Sequence, residues 1–173
     1  MDRNALGRAL AQACTLTGEF VLRSGQISNR YFDKYRFEAD PALLEAVASH
    51  LAPLIPANTE VLAGLETGGI PIAVALSLTT RLPAAFVRKQ AKTYGTAKLA
   101  EGTSIEGRQL LVIEDVVTTG GQIVASVEEL RRRGAQVDQA LCVIDRSGGS
   151  SPLLASAGIT LNALFTEAEL DEH

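Results

Sequence analysis

The sequence predicts an α/β fold, a central parallel sheet flanked by helices on both faces. From residue 61 onward, short apolar runs of strand length alternate with stretches of helical periodicity. Glycine and proline stand where those helices would begin or end. The chain has 173 residues, 46% apolar and 21% charged, which suits one globular domain.

Apolar residues at Ala5, Leu6, Ala9, Leu10 and Ala13 recur at helical spacing and predict a first helix over 5–15. Phe20-Val21-Leu22 and Tyr31-Phe32-Asp33 flank Ser24-Gly25, as two short strands around a turn would. Asp40-Pro41 reads as an N-cap followed by a proline at the first helical position. The helix it opens runs through Leu43, Leu44, Val47 and Leu51. Residues 1–40 thus read as a small N-terminal element of one helix and two strands, and residues 41–173 as an α/β core within a single domain.

Val61-Leu62-Ala63-Gly64 is the first core strand, and Gly69-Ile70-Pro71 starts a helix that reaches Leu78. A strand over 84–87 follows, and then the central strand Leu110-Leu111-Val112-Ile113. Gly120-Gly121 opens a helix through Val124, Val127 and Leu130 that ends at Arg133-Gly134. There the glycine suits the position after the helix, and the arginines of the last turn suit its dipole. The last strands are 140–144 and 159–165. Between the strands lie the roughly 20 residues from Lys89 to Arg108, with weak helical or strand character. Connections that long are usually functional or disordered.

Charge and composition exclude several classes. Sixteen basic against twenty acidic residues leave a net charge of −4, which disfavours bulk nucleic-acid binding but permits a local basic patch. There is no 18-residue apolar run and no apolar core of a signal peptide near Met1, so no membrane partner and a cytoplasmic location are expected. Cys14 and Cys142 lie far apart without metal-site or redox spacing and read as reduced packing residues. His50 and His173 are too few for a zinc site.

The strongest chemical signal is Leu111-Val112-Ile113-Glu114-Asp115-Val116-Val117-Thr118-Thr119-Gly120-Gly121. An apolar strand delivers two carboxylates to the sheet's C-terminal edge, and hydroxyls and glycines follow before a helix. Glycines let backbone N–H groups approach an anion, and a helix N-terminus favours negative charge, so this half reads as a phosphate cradle. The carboxylates would repel a phosphate and suit sugar hydroxyls instead. A phosphate with a diol beside it describes a ribose 5-phosphate. The plainer alternative is a strand end with N-capping threonines. Arg88, Lys89, Lys92 and Lys98 form a second signal, four cations with no acid between Arg88 and Ala100. They suit a flexible basic loop that closes over a polyanion.

The strand, acidic pair and Thr118-Thr119-Gly120-Gly121 resemble the phosphoribosyl-diphosphate-binding motif of type I phosphoribosyltransferases. Two further stretches resemble the orotate phosphoribosyltransferases among them. One is Phe20-Val21-Leu22-Arg23-Ser24-Gly25-Gln26-Ile27-Ser28 with Tyr31-Phe32-Asp33, and the other is Phe86-Val87-Arg88-Lys89-Gln90-Ala91-Lys92-Thr93-Tyr94-Gly95. The resemblance implies the type I phosphoribosyltransferase fold, with the N-terminal strands of residues 1–40 as its small hood, and a pentosyl transfer. Orotate displaces pyrophosphate from phosphoribosyl diphosphate to give orotidine 5′-monophosphate, a step of pyrimidine nucleotide synthesis. It also implies Mg²⁺ as cofactor, held mainly by substrate and water with no dedicated protein ligand, and a homodimer whose basic loops reach the neighbouring site.

By position, the resemblance makes Lys92, Arg88 and Asp115 catalytic. Arg88, Lys89, Lys92 and Tyr94 match diphosphate contacts, and Glu114 and Asp115 match the pair near the ribose hydroxyls. Val116, Val117, Thr118, Thr119, Gly120, Gly121 and Gln122 complete the phosphoribosyl-diphosphate site. Thr118, Arg146, Arg23, Tyr31 and Phe32 match the orotate site, where an arginine fork suits a planar carboxylate. Glu66-Thr67-Gly68-Gly69-Ile70-Pro71 resembles the diphosphate-binding loop. The chain departs from some members by having Gly68 in place of lysine and Tyr94 in place of histidine. A type I transferase for another nucleobase and a non-catalytic regulator of the same fold remain the alternatives.

Overall fold

The computed structural model describes residues 1–21, 25–90, 98–149 and 151–172. Helix α1 (Arg3–Cys14) starts on Asp2, whose carboxylate accepts the Ala5 N–H at 2.7 Å. It passes directly into β1 (Thr15–Val21), which pairs antiparallel with β2 (Ile27–Phe32) as a separate two-stranded sheet. A short α2 (Tyr35–Glu38) leads to α3 (Pro41–Leu51). The expected Asp40 cap is present, accepting N–H groups from Ala42 at 2.9 Å and Leu43 at 3.1 Å.

After one 3₁₀ turn at Ala52–Leu54, the core runs β3 (Val61–Leu65), α4 (Gly69–Thr80), β4 (Ala84–Val87), β5 (Ala100–Gly102) and β6 (Gln109–Val117). It continues as α5 (Gly121–Arg132), β7 (Gln136–Asp145), α6 (Pro152–Ser156), β8 (Thr160–Thr166) and α7 (Glu167–Asp171). The six-stranded sheet has the order β5-β4-β3-β6-β7-β8. All its pairings are parallel except the edge strand β5, which runs antiparallel to β4.

Both faces of the sheet are covered, as expected of parallel strands. Leu111, Ile113, Leu141 and Val143 pack with buried residues of α1, α3 and α4, and Leu110, Val112, Ala140 and Cys142 pack with those of α5. Period-two alternation along β6 and β7 divides these side chains between two cores. The cysteines are buried and unpaired, Cys14 where α1 meets β1 and Cys142 within β7. Burial raises both thiol pKa values, that of Cys14 to about 11.

Two expectations need correction. The segment from Lys89 to Arg108 is not one long connection, because β5 pairs with β4 within it and Arg88 donates its N–H to Leu99 O at 2.9 Å. The central strand also continues past Ile113, since Val116 and Val117 pair with Ile144 and Asp145. The acidic pair therefore sits inside a strand, not at its tip.

Chain direction fixes where a ligand fits. β3 and β6 are neighbours, yet β3 is followed through α4 by β4 on one side, and β6 through α5 by β7 on the other. Their C-terminal ends are a topological switch point, where open α/β sheets leave a crevice.

Candidate active site

The crevice is floored by an unusually close approach of β3 to α4. A Cβ on Gly64 would stand 2.7 Å from Gly69 O and 2.8 Å from the Ala73 Cβ. A Cβ on Gly69 would stand 2.2 Å from Ile113 O. Only glycines allow this contact, and it pulls the turn Glu66–Gly68 against the end of β6. The Glu66-Thr67 peptide is cis. Glu66 Oε1 accepts the Lys89 N–H at 2.5 Å, which joins this turn to the segment after β4.

Beside the turn lies a buried acidic cluster. Asp115 is wholly buried, and Glu38 and Glu114 are 9% exposed. Asp115 Oδ2 forms an ion pair with Lys34 Nζ, and Asp115 Oδ1 accepts the Val116 N–H at 2.5 Å. Glu114 Oε1 accepts the Asp115 N–H at 3.0 Å. Burial, then the neighbouring Asp115, pushes the carboxyl pKa of both Glu38 and Glu114 up to about 8. Burial also acts to raise Asp115, but the Lys34 ammonium outweighs it and holds that carboxyl below its usual value. Near neutral pH the cluster is thus one carboxylate paired with one ammonium, beside two protonated acids. The Gly68 departure has a steric reason, because a Cβ there would fall 1.7 Å from Asp115 Oδ2.

The segment read from the sequence as a phosphate cradle follows β6 directly. Thr118 and Thr119 are exposed, Gly120 is buried at φ +81°, and α5 begins at Gly121 without a side-chain cap. A Cβ on Gly120 would lie 2.7 Å from Leu154 Cγ. The Thr119 carbonyl is fixed by the Ser151 hydroxyl at 2.6 Å. Gly121 N–H donates to Thr119 Oγ1 at 3.4 Å, and the start of a 12-residue helix suits an anion. Gln122 is exposed, and its amide donates to Ser126 Oγ at 3.2 Å.

A second pocket of about 350 Å³ opens between the hairpin and the sheet, lined by Ser28, Arg30, Tyr31, Phe32, Arg146 and Glu167 among others. It brings together Tyr31, Phe32 and Arg146, three of the five residues that the resemblance assigns to orotate, and the Tyr31 ring lies 5.5 Å from that of Phe20. Thr118 does not line it. Arg146 is held by Glu167, whose Oε1 lies 2.7 Å from Nε and 2.5 Å from Nη2. Arg88 follows β4 directly, with its Nε buried and without a hydrogen-bond partner among the described residues, and Lys89 beside it is exposed. Arg23, Lys92 and Tyr94 lie outside the described residues.

The family model for the phosphoribosyl transferase domain matches residues 36–166, which hold the turn, the acidic pair, the cradle and Arg146. The chain is 52% identical over 158 residues to the orotate phosphoribosyltransferase of a Nocardioides species, covering 91% of this chain and 88% of the relative. The chain belongs to the orotate phosphoribosyltransferases, within the phosphoribosyltransferase family. It is also 42% identical over 153 residues to the enzyme of that name from Methanocella arvoryzae, covering 88% and 87%. The crystal structure of orotate phosphoribosyltransferase from Aeropyrum pernix superposes with a TM-score of 0.84 at 33% identity, covering 96% of both chains.

For a phosphoribosyltransferase domain that begins its match at residue 36, the hairpin and Lys34 are an N-terminal addition to the matched region. The sequence reading missed Lys34, Glu38, Arg30 and Glu167. Lys34 carried the one available signal, since it is the only lysine outside the basic segment.

Proposed function

We propose that the chain transfers the phosphoribosyl group of 5-phosphoribosyl 1-diphosphate to orotate, giving orotidine 5′-monophosphate and pyrophosphate. The observation that carries this reading is a set of three parts along the C-terminal edge of the sheet. A glycine-opened anion cradle and a buried acidic pair share one strand and its following turn, and an aromatic pocket with an arginine fork opens on the hairpin side. The first two match a ribose 5-phosphate and the third a planar carboxylated ring.

In this reading the 5′-phosphate sits on the N–H groups of Thr118–Gln122, and Asp115 and Glu114 face the ribose hydroxyls. The diphosphate lies against the turn Glu66–Gly68, with Arg88, Lys89, Lys92 and Tyr94 supplying donors. Orotate stacks by Tyr31 and Phe32 with its carboxylate on Arg146. A ring nitrogen of orotate forms the bond to C1, the C1–O bond to the diphosphate breaks, and pyrophosphate leaves with the electron pair. The ring nitrogen's proton passes to water. C1 gains oxocarbenium character, and charge gathers on the leaving group. Cations on the diphosphate therefore lower the barrier more than any group acting on the base.

Mg²⁺ completes that charge balance. The cluster offers oxygen donors only, the kind a hard cation takes, but its one carboxylate is engaged by Lys34. The ion would accordingly be held by diphosphate oxygens and water, neutralising the leaving group. A homodimer with shared basic loops is part of the proposal, supported by an apolar outer face of α4 that leaves Val74 39% and Leu78 67% exposed. No helix among the described residues is long and apolar enough to cross a membrane. A cytoplasmic site of action accords with two unpaired thiols.

The test follows orotate absorbance with phosphoribosyl diphosphate and Mg²⁺. The expected result is loss of orotate with one pyrophosphate released per orotate, dependent on all three components. Inertness toward orotate together with turnover of another nucleobase would overturn the assignment.

A further inference from the structure

Lys34 is the one described cation in contact with the acidic cluster, and it arrives from outside the core sheet, at the residue preceding α2. Its stem is partly buried, with one third of the side chain exposed, while the Asp115 side chain it meets is 1% exposed. The oxygen it pairs with, Asp115 Oδ2, is also the atom nearest to a Cβ on Gly68, at 1.7 Å. The ammonium is thereby anchored at the seam between the carboxylates and the turn Glu66–Gly68. Glu38, on α2 itself, brings Oε1 into the same seam, 2.9 Å from that Cβ position and beside Asp115.

The arrangement has a consequence for binding. A carboxylate that accepts hydrogen bonds from two ribose hydroxyls has less need of an ammonium, and its lone pairs are finite. An ammonium on a four-carbon stem with three rotatable donors can turn without moving its backbone. The nearest strong anion to which it can turn is whatever lies on the Glu66–Gly68 turn.

We propose that Lys34 is a diphosphate-binding residue held by Asp115 until ribose hydroxyls claim that carboxylate, when its ammonium turns to the diphosphate. The inference rests on the proposed placement of the substrate, ribose over Asp115 and diphosphate over the turn. It makes one side chain the exchange partner of two substrate groups. Glu38 and Glu114 remain protonated near neutral pH, so departure of the ammonium leaves a single carboxylate to be satisfied by hydroxyls.

The test compares two ligands, phosphoribosyl diphosphate and ribose 5-phosphate, by calorimetry on the whole chain with Mg²⁺. Lys34→Met removes the charge and keeps the length. Lys34→Gln keeps a donor for Asp115 and serves as a second variant should Lys34→Met fail to fold. The expected result is at least a tenfold rise in Kd for phosphoribosyl diphosphate, with Kd for ribose 5-phosphate unchanged or lower. In turnover, KM for phosphoribosyl diphosphate should rise while KM for orotate stays within twofold. Lys34→Arg should retain affinity for both ligands within about threefold. A residue that merely orients Asp115 would weaken both ligands equally, so equal loss, or no loss in either, overturns the proposal. If the wild-type chain binds neither ligand, the underlying assignment fails as well; if it binds both and their ratio does not move, only the role of Lys34 fails.

Discussion

The Arg146 guanidinium is held by a single oxygen of Glu167, and both side chains are well exposed, at 40% and 45%. Such a pair contributes only about 0–1 kcal/mol, so a substrate carboxylate with two oxygens in a plane can displace it. Glu167→Gln should therefore lower KM for orotate about two- to fivefold, with kcat and KM for phosphoribosyl diphosphate unchanged. Steady-state kinetics decide it, and an unchanged or higher orotate KM would remove Arg146 from the carboxylate site. Arg146 was legible in the sequence because it follows a strand end. Glu167 was not, since its role comes from the short α7, which follows β8 and brings Glu167 to the residue after β7. Lys34 was hidden for a similar reason. Nothing in Asp33-Lys34-Tyr35-Arg36 signals a contact with a strand so much later in the chain.

At the scale of elements, β3 and α4 touch through glycine, and the crevice is built on that contact. Gly64→Ala forces a methyl against the Gly69 carbonyl and the Ala73 Cβ. Overpacking of this kind costs about 1–3 kcal/mol, which denaturant unfolding should show as a lower midpoint at unchanged slope. The substitution should also raise KM for phosphoribosyl diphosphate, because the Glu66–Gly68 turn moves with α4. A stability equal to wild type would mean that the helix can shift away freely. The long elements were legible from periodicity, and the Asp40 cap from its residue types. Helices α2, α6 and α7 have four or five residues each, too few to show a period. Strand β5 is three residues long and half polar, and only its pairing with β4 makes it a strand.

For the whole molecule, the net charge of −4 counts every acid as ionised. Glu38 and Glu114 depart from that count, for their carboxyls titrate near pH 8 in the folded chain, against an ordinary 4.5. Between those values the folded state binds more protons than the unfolded state, so stability falls as pH rises. Below about pH 4.5 both states are protonated and these two groups add no slope. Tm should drop between pH 5.5 and 8, and Glu38→Gln should remove about half of that drop, since one of two such groups remains. A wild-type Tm that is flat or rises across the window would contradict the buried, protonated cluster. Only the fold places Glu38 beside Glu114 and Asp115, so the sequence could locate the acidic pair but not its third member.

The two buried thiols turn the chain into its own reporter of local opening. Thiolate, not thiol, reacts with alkylating reagents, and both cysteines are shielded and raised in pKa. Reaction then requires that the surrounding structure open. Cys14 marks the joint between α1 and the hairpin, and Cys142 marks β7, an interior strand of the six-stranded sheet. Pulse alkylation read by mass spectrometry should modify Cys14 faster than Cys142 below the unfolding midpoint, because among the described residues the hairpin pairs only with itself. Equal rates would mean that hood and sheet open as one cooperative unit.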